Sequence, residues 1–272
     1  MRMHKVLALL ASAAVSSALL SAQAVNPRAW IGHEAEIEEY LKVAEITAVG
    51  TTPEGVLHPQ KMTLKPGGPT PFLLFKPIAP GLYNGAQESY KSEIAAYEID
   101  KMLHLGMVPP TVERTINKKT GAAIYWIVNT KNFNAFPEGK AGGAPTPPAS
   151  KAEYWKIQLV RAKMFDSLIG NMDPNLGNWL VDDDWNLSIV DHSRSLHYDT
   201  TFVHEKQMSH IDSELWDKMK ALTLEDLTAN LSKWLSKSDI KTIIDRRDKF
   251  GKLIDALVKK NGAAEVFIKY PG

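Results

Sequence analysis

Three oxygen-bearing side chains stand out in the stretch Met164–Leu196, MFDSLIGNMDPNLGNWLVDDDWNLSIVDHSRSL: Asp173, Asn178 and Asp191. Each falls at a boundary between elements, not on a face that a core would bury. Two carboxylates and one amide are hard oxygen donors, a set that suits Mg²⁺. Pro174 biases Asp173 away from helical angles and holds it on extended, exposed backbone. Trp179-Leu180 opens one strand, Asp182–Asn186 is a hairpin turn, and Leu187–Val190 returns. Such a hairpin brings Asn178 and Asp191, at opposite strand ends, to one edge. The acids Asp182, Asp183 and Asp184 read as solvated turn residues, not as ligands.

Other candidates lie earlier in the chain. Lys76 ends an apolar strand and precedes Pro77, where a lysine in isolation is more often a solvated strand end. Glu93 lies beside the apolar stripe of a helix, so it needs a cation partner, and Lys76 is a candidate. The turn from Gly50 to Gly55 joins two strands, and its backbone N–H groups could fold over phosphates. Taken alone, two glycines are better read as a plain hairpin turn. The histidines show no metal-ligand spacing. His204 and His210 are six apart, the wrong interval for one helix face, and read as surface residues.

The elements that must position these residues follow from periodicity and breakers. A helix is expected around Glu34–Leu41, then strands at Val43–Val49, Gln60–Leu64 and Phe72–Lys76. Ala79–Gln87 reads as a loop and Glu88–Leu105 as a helix stopped by Gly106 and Pro109-Pro110. Thr111–Ile116 and Ala122–Val128 read as two further strands. The Pro/Gly-rich run Asn134–Ser150 cannot pack and reads as a surface loop or a hinge. Lys151–Ile169 is an amphipathic helix ended by Gly170. Leu215–Met219, a helix from Thr223 to about Leu235 and a last helix capped by Ser238 complete the chain.

Composition narrows the function classes. The chain has 272 residues, 44% hydrophobic and 23% charged, and no cysteine. Thiol catalysis and zinc–thiolate sites are excluded, as is a disulfide framework. Residues 1–24 have a basic start, an apolar run from Val6 to Leu20 and a small-x-small end at Ala22-Gln23-Ala24. They read as a secretory signal peptide cut after Ala24, which predicts a secreted or periplasmic protein with no integral membrane segment after cleavage. Losing Arg2 and Lys5 turns 32 basic residues into 30 against 31 acidic ones, so nothing suggests a nucleic-acid partner.

In this order the residues carry a resemblance. Asn-x-Asp-x-x-x-x-Asn, a hairpin and then Ile-Val-Asp is similar to the catalytic and metal loops of atypical kinase-like folds. Among these are type II phosphatidylinositol 4-kinases, secretory-pathway kinases and their bacterial relatives. Glu93–Val112 is similar to the N-lobe helix and following strand of those families, and Phe75-Lys76 resembles their nucleotide lysine. The resemblance spans residues 43–260. It implies an α+β, two-lobed fold, with a strand-rich N-lobe at 25–149, including the loop 134–149, and a helix-rich C-lobe at 150–272.

It also implies roles. Lys76 would contact the nucleotide phosphates and pair with Glu93, and Gly50–Gly55 would cover the phosphates. Asp173 would be the catalytic base, while Asn178 and Asp191 would hold Mg²⁺. The implied activity is Mg²⁺-dependent phosphoryl transfer from a nucleotide, ATP being expected, to an unidentified hydroxyl acceptor on a protein, lipid or small molecule. Two departures stand out. Pro174 replaces the basic residue that relatives usually carry after the base, and His192-Ser193 follows Asp191. Arg194 either restores the missing positive charge or is a loop residue paired with a nearby acid. The alternative expectation is an inactive kinase-like module of the cell envelope that binds nucleotide or protein, since an exported bacterial protein meets little ATP. A carboxylate pair for glycoside hydrolysis would leave Lys76 and Glu93 idle.

Overall fold

The computed structural model describes residues 28–51, 59–198, 200 and 202–269. The leader expected at 1–24 and Gly55 lie outside them. Five strands form one antiparallel sheet in the order β1-β2-β3-β7-β6: β1 Ile46–Thr51, β2 Gln60–Leu64, β3 Phe72–Lys76, β6 Thr111–Ile116 and β7 Lys119–Tyr125. Met62, Leu64, Leu73, Phe75, Val112 and Tyr125 pack on one side of it against Ile37 and Leu41 of helix α1, Glu34–Val43. Alternation along β2 and β3 is what makes that face apolar.

The expected loop after β3 contains a second, small hairpin, β4 Gly81–Tyr83 with β5 Ala86–Glu88. Its turn is Asn84-Gly85, both at positive φ (50° and 83°), the primed turn that matches strand twist. Three-residue strands leave almost no periodicity, so only the Asn-Gly pair announces them. Helix α2 follows over Tyr90–Leu103. Ser89 caps it by accepting from Lys91 N, and Asp100 closes its far end by accepting three backbone N–H bonds at 3.0 Å from Gly106, Met107 and Val108.

The larger core gathers α2, through Ala95, Ala96, Tyr97, Ile99 and Leu103, with helix α3 (Ala152–Ile169) and the helices that end the chain. These are α4 Ser213–Ala221, α5 Leu224–Leu231 and α6 Lys237–Asn261. The cap of α6 is Ser236, not Ser238. Its hydroxyl accepts from Asp239 N, and the Asp239 carboxylate returns the bond to Ser236 N.

The central hairpin, β9 Trp179–Asp182 and β10 Leu187–Ile189, gains a third strand from β8, Thr130–Asn132. Phe133, the next residue, is already buried against Trp155 and Trp179. The Pro/Gly run at 134–150 therefore leaves and rejoins the larger core, and it packs in part where the sequence led us to expect none: it holds a short helix at Pro137–Lys140, with Gly139 and Pro145 buried. Asp182 is buried, not solvated. Its Oδ1 accepts from Asp184 N and Asn186 N and its Oδ2 from Asn186 Nδ2, so it builds the turn.

Candidate active site

Lys76 is the last residue of β3, held between β2 and β7, and only 5% of it is exposed. Its Nζ lies 2.7 Å from Glu93 Oε1 and 2.7 Å from Asp191 Oδ1. Burial pulls the ammonium down, but the attraction of the two carboxylates outweighs it and holds Lys76 above its ordinary range. Glu93, on the first turn of α2 and 2% exposed, accepts His192 N at 3.0 Å on its other oxygen. Sheet, helix and hairpin thus meet at one ammonium.

Asp191 follows β10 with φ at 66°, the left-handed region that a non-glycine residue occupies at a cost of about 1–2 kcal/mol. Its side chain is 42% exposed. Desolvation would raise its pKa, but the charge and hydrogen bond of Lys76 prevail and keep the carboxyl below the usual range. Ser193 Oγ donates toward the same Oδ1 at 3.2 Å. Asp191 Oδ2 has no hydrogen-bond partner among the described residues.

Asn178 closes a helical turn at Leu176–Asn178, and its carbonyl accepts Val190 N at 3.0 Å. This bond extends the β9–β10 pairing by one step and brings Asn178 beside Asp191. The Asn178 amide nitrogen makes one long bond, 3.5 Å to the Asp173 carbonyl, and its Oδ1 has none among the described residues. Asn178 Oδ1 and Asp191 Oδ2 are therefore two hard oxygens left unused on one edge. They fit a cation that takes few protein ligands and completes its shell with phosphate oxygens and water, as Mg²⁺ does. No cluster of three or more His, Cys, Asp or Glu side chains suited to a metal occurs among the described residues.

Asp173 stands on the loop between α3 and β9. Its N–H donates to Asn171 Oδ1 at 3.1 Å, and Asn171 Nδ2 donates to the buried Asp166 Oδ1 at 3.0 Å. His204 packs over the same buried carboxylate at 3.4 Å and is not a surface residue. Arg194 Nη1 donates to Asp173 Oδ2 at 3.1 Å, while its Nε and Nη2 both reach Glu88 Oε1 at 2.9 Å. Arg194 thus pairs with nearby acids, as one of its two readings expected, and one of those acids is Asp173.

Gly50 is a strand residue within β1, opposite Lys61, and is not in the turn. The rest of the turn, residues 52–58, lies outside the described residues. Glu88, Asp166 and Asn171 were not legible as site residues. The one signal for Asp166 is its place on the buried face of α3, between Phe165 and Ile169. Glu88 carries a weaker signal, an acid directly before a helix cap.

No protein-family model matches the sequence, and no curated protein matches it significantly. Solved structures do. A hydra Fam20 structure with sugar superposes at a TM-score of 0.68 and 15% identity, covering 89% of this chain and 93% of that one. The Golgi casein kinase gives 0.65 and 16%, over 89% and 79% of the two chains. The same kinase with Mn and ADP bound gives 0.64 and 15%, over 89% and 80%. At such identities the likeness speaks for the fold: this chain has the two-lobed, α+β, atypical kinase-like fold of the secretory-pathway kinases.

Proposed function

We propose that the chain is a Mg²⁺-dependent phosphotransferase that moves a phosphoryl group from a nucleotide, ATP by expectation, to a hydroxyl acceptor. The observation that carries this reading is the buried Lys76 ammonium, 2.7 Å from both Glu93 and Asp191, beside two unused oxygens on Asn178 and Asp191. A buried lysine held charged by two carboxylates is suited to take phosphate oxygens. On binding nucleotide it would trade the half-exposed Asp191 for phosphate oxygens while Glu93 keeps it aligned.

Asn178 Oδ1 and Asp191 Oδ2 would hold the cation, which supplies charge neutralisation on the transferred group. Asp173 would orient the acceptor hydroxyl and take its proton. A bond forms between the acceptor oxygen and phosphorus, the bond to the nucleoside diphosphate breaks, and the proton leaves through Asp173 to solvent. The leader at 1–24 and the fold neighbours support export, and no helix among the described residues is long and apolar enough to cross a membrane.

A second reading, a nucleotide-binding module without turnover, is favoured by Pro174 beside Asp173. A thermal-shift panel on the mature protein separates them. Mg²⁺ with ATP, or Mn²⁺ with ADP as in the similar kinase structure, is expected to raise Tm, and Asp191→Ala to abolish the shift. Asp173→Asn is expected to keep the shift and lose transfer to water or to a panel of sugar and peptide hydroxyls. No shift with any nucleotide overturns both readings. A shift with no transfer by the wild-type protein leaves the binding module.

A further inference from the structure

Glu88 belongs to none of the roles assigned above, yet it touches both halves of the site. It ends β5, is 4% exposed, and uses both carboxylate oxygens. Oε1 accepts Nε and Nη2 of Arg194, each at 2.9 Å, and Oε2 accepts from Ser193 Oγ at 3.2 Å. Arg194 reaches a second carboxylate through Nη1, 3.1 Å from Asp173 Oδ2, and Ser193 Oγ lies at the same 3.2 Å from Asp191 Oδ1, so its single proton serves one carboxylate at a time. Backbone bonds fasten the same junction. Ser89 N donates to Ser193 O at 3.0 Å, the His197 ring meets the Gln87 carbonyl at 2.9 Å, and Met172 N donates to Arg194 O at 3.2 Å.

We infer that Glu88 is a positioning residue that sets the orientation of the base through Arg194, so that the β4–β5 hairpin is a working part of the active site. The inference rests on the phosphotransferase reading. A guanidinium is planar, and two N–H groups held by one buried carboxylate oxygen fix the direction of the third. That third donor pins Asp173 Oδ2 and leaves Oδ1, which has no hydrogen-bond partner among the described residues, as the oxygen that meets the acceptor hydroxyl. The cation that Pro174 cannot supply from the neighbouring position arrives from Arg194, on the segment whose backbone pairs with Met172. Its charge is already shared by two carboxylates, so Arg194 acts as a strut and not as a phosphate clamp. The position of Glu88 follows from this: a strut needs a buried anchor, and the hairpin supplies one from outside the loop that carries the base.

The test uses Glu88→Gln and Arg194→Met in the mature full chain, with Arg194→Lys as the conservative partner. Phosphate release from Mg²⁺-ATP, with water as acceptor, is expected to fall at least ten-fold in kcat in the first two variants. KM for ATP and the Mg²⁺-ATP thermal shift stay at wild-type values, and Arg194→Lys recovers part of the loss. Release within two-fold of wild type in Glu88→Gln overturns the inference, as does a loss that appears in KM alone. A second readout needs no turnover: amide hydrogen exchange over residues 171–178 is expected to quicken at least ten-fold in both variants while α2 keeps its protection. Unchanged exchange there overturns the inference even if the wild-type protein hydrolyses nothing. A wild-type protein without a nucleotide shift overturns the phosphotransferase reading instead, and the exchange result still judges the bridge.

Discussion

At the scale of single residues the strongest commitment is the Lys76 triad. Replacing Lys76 with Met leaves Glu93, with 3% of its side chain exposed, as a buried charge without its cation. Breaking such a pair from one side costs about 3–5 kcal/mol, which urea unfolding of Lys76→Met at pH 7 would read; a cost under 1 kcal/mol contradicts the burial. The lysine's folded pKa is raised, so the stability it contributes is complete below the unfolded value of 10.5 and is lost only as pH rises through the higher folded one. Asp100 behaves in the opposite way. Burial raises its carboxyl from 3.8 to about 6 against three backbone N–H bonds. The folded state then binds the extra proton, and stability falls as pH rises through that window. Relative to Asp100→Asn, the wild type is expected to lose about 2 kcal/mol between pH 4 and pH 7, measured as the difference between two pH series of unfolding midpoints. A flat difference removes the claim.

At the scale of elements, Lys76 is placed by its strand, and the strand's neighbour sets how closely they pack. A Cβ on Gly121 of β7 would lie 2.5 Å from Lys76 O and 2.6 Å from Pro77 Cα, both backbone. Gly121→Ala must therefore push β3 aside, at about 1–3 kcal/mol, and weaken Mg²⁺-ATP binding with it. Gly50→Ala, whose nearest neighbour would be Lys61 O at 3.5 Å, is expected to leave Tm unchanged. Equal effects of the two substitutions would refute the packing argument. The elements that carry Lys76 and Glu93 were legible in the sequence because Phe72–Lys76 is an apolar run between turns and the helix is long enough to show its period, although it starts at Tyr90 behind the Ser89 cap and not at Glu88. The β9–β10 hairpin was legible because a turn of acids separates two apolar runs. Glu88 was not legible, since a three-residue strand has no period and its value lies in two partners more than a hundred residues away. Ser236 and Ser238 are both plausible caps, and only the three-residue spacing to Asp239 separates them.

At the scale of the whole molecule, α2 is the piece that joins sheet and helices. Its Glu93 side chain reaches the Lys76 end of β3, and Tyr90 and Ile94 pack with Ala122 and Ile124 of β7. Its other side is buried in the larger core with Phe165 and Ile169 of α3. Further along, β8 pairs with β9, and Ile189 N donates to Met107 O at 2.9 Å. Everything up to Phe133 that crosses to the helical half thus does so before the Pro/Gly run begins. A protease nick within residues 141–148, where the chain is in neither helix nor strand, would cut the polypeptide without cutting the core. The two fragments are expected to elute as one species in size-exclusion chromatography under native conditions and to separate only in denaturant. Expressed apart and mixed, they should find one another and restore the shared core, so that this kinase-like domain can be run as a split protein whose co-elution reports that its halves have met.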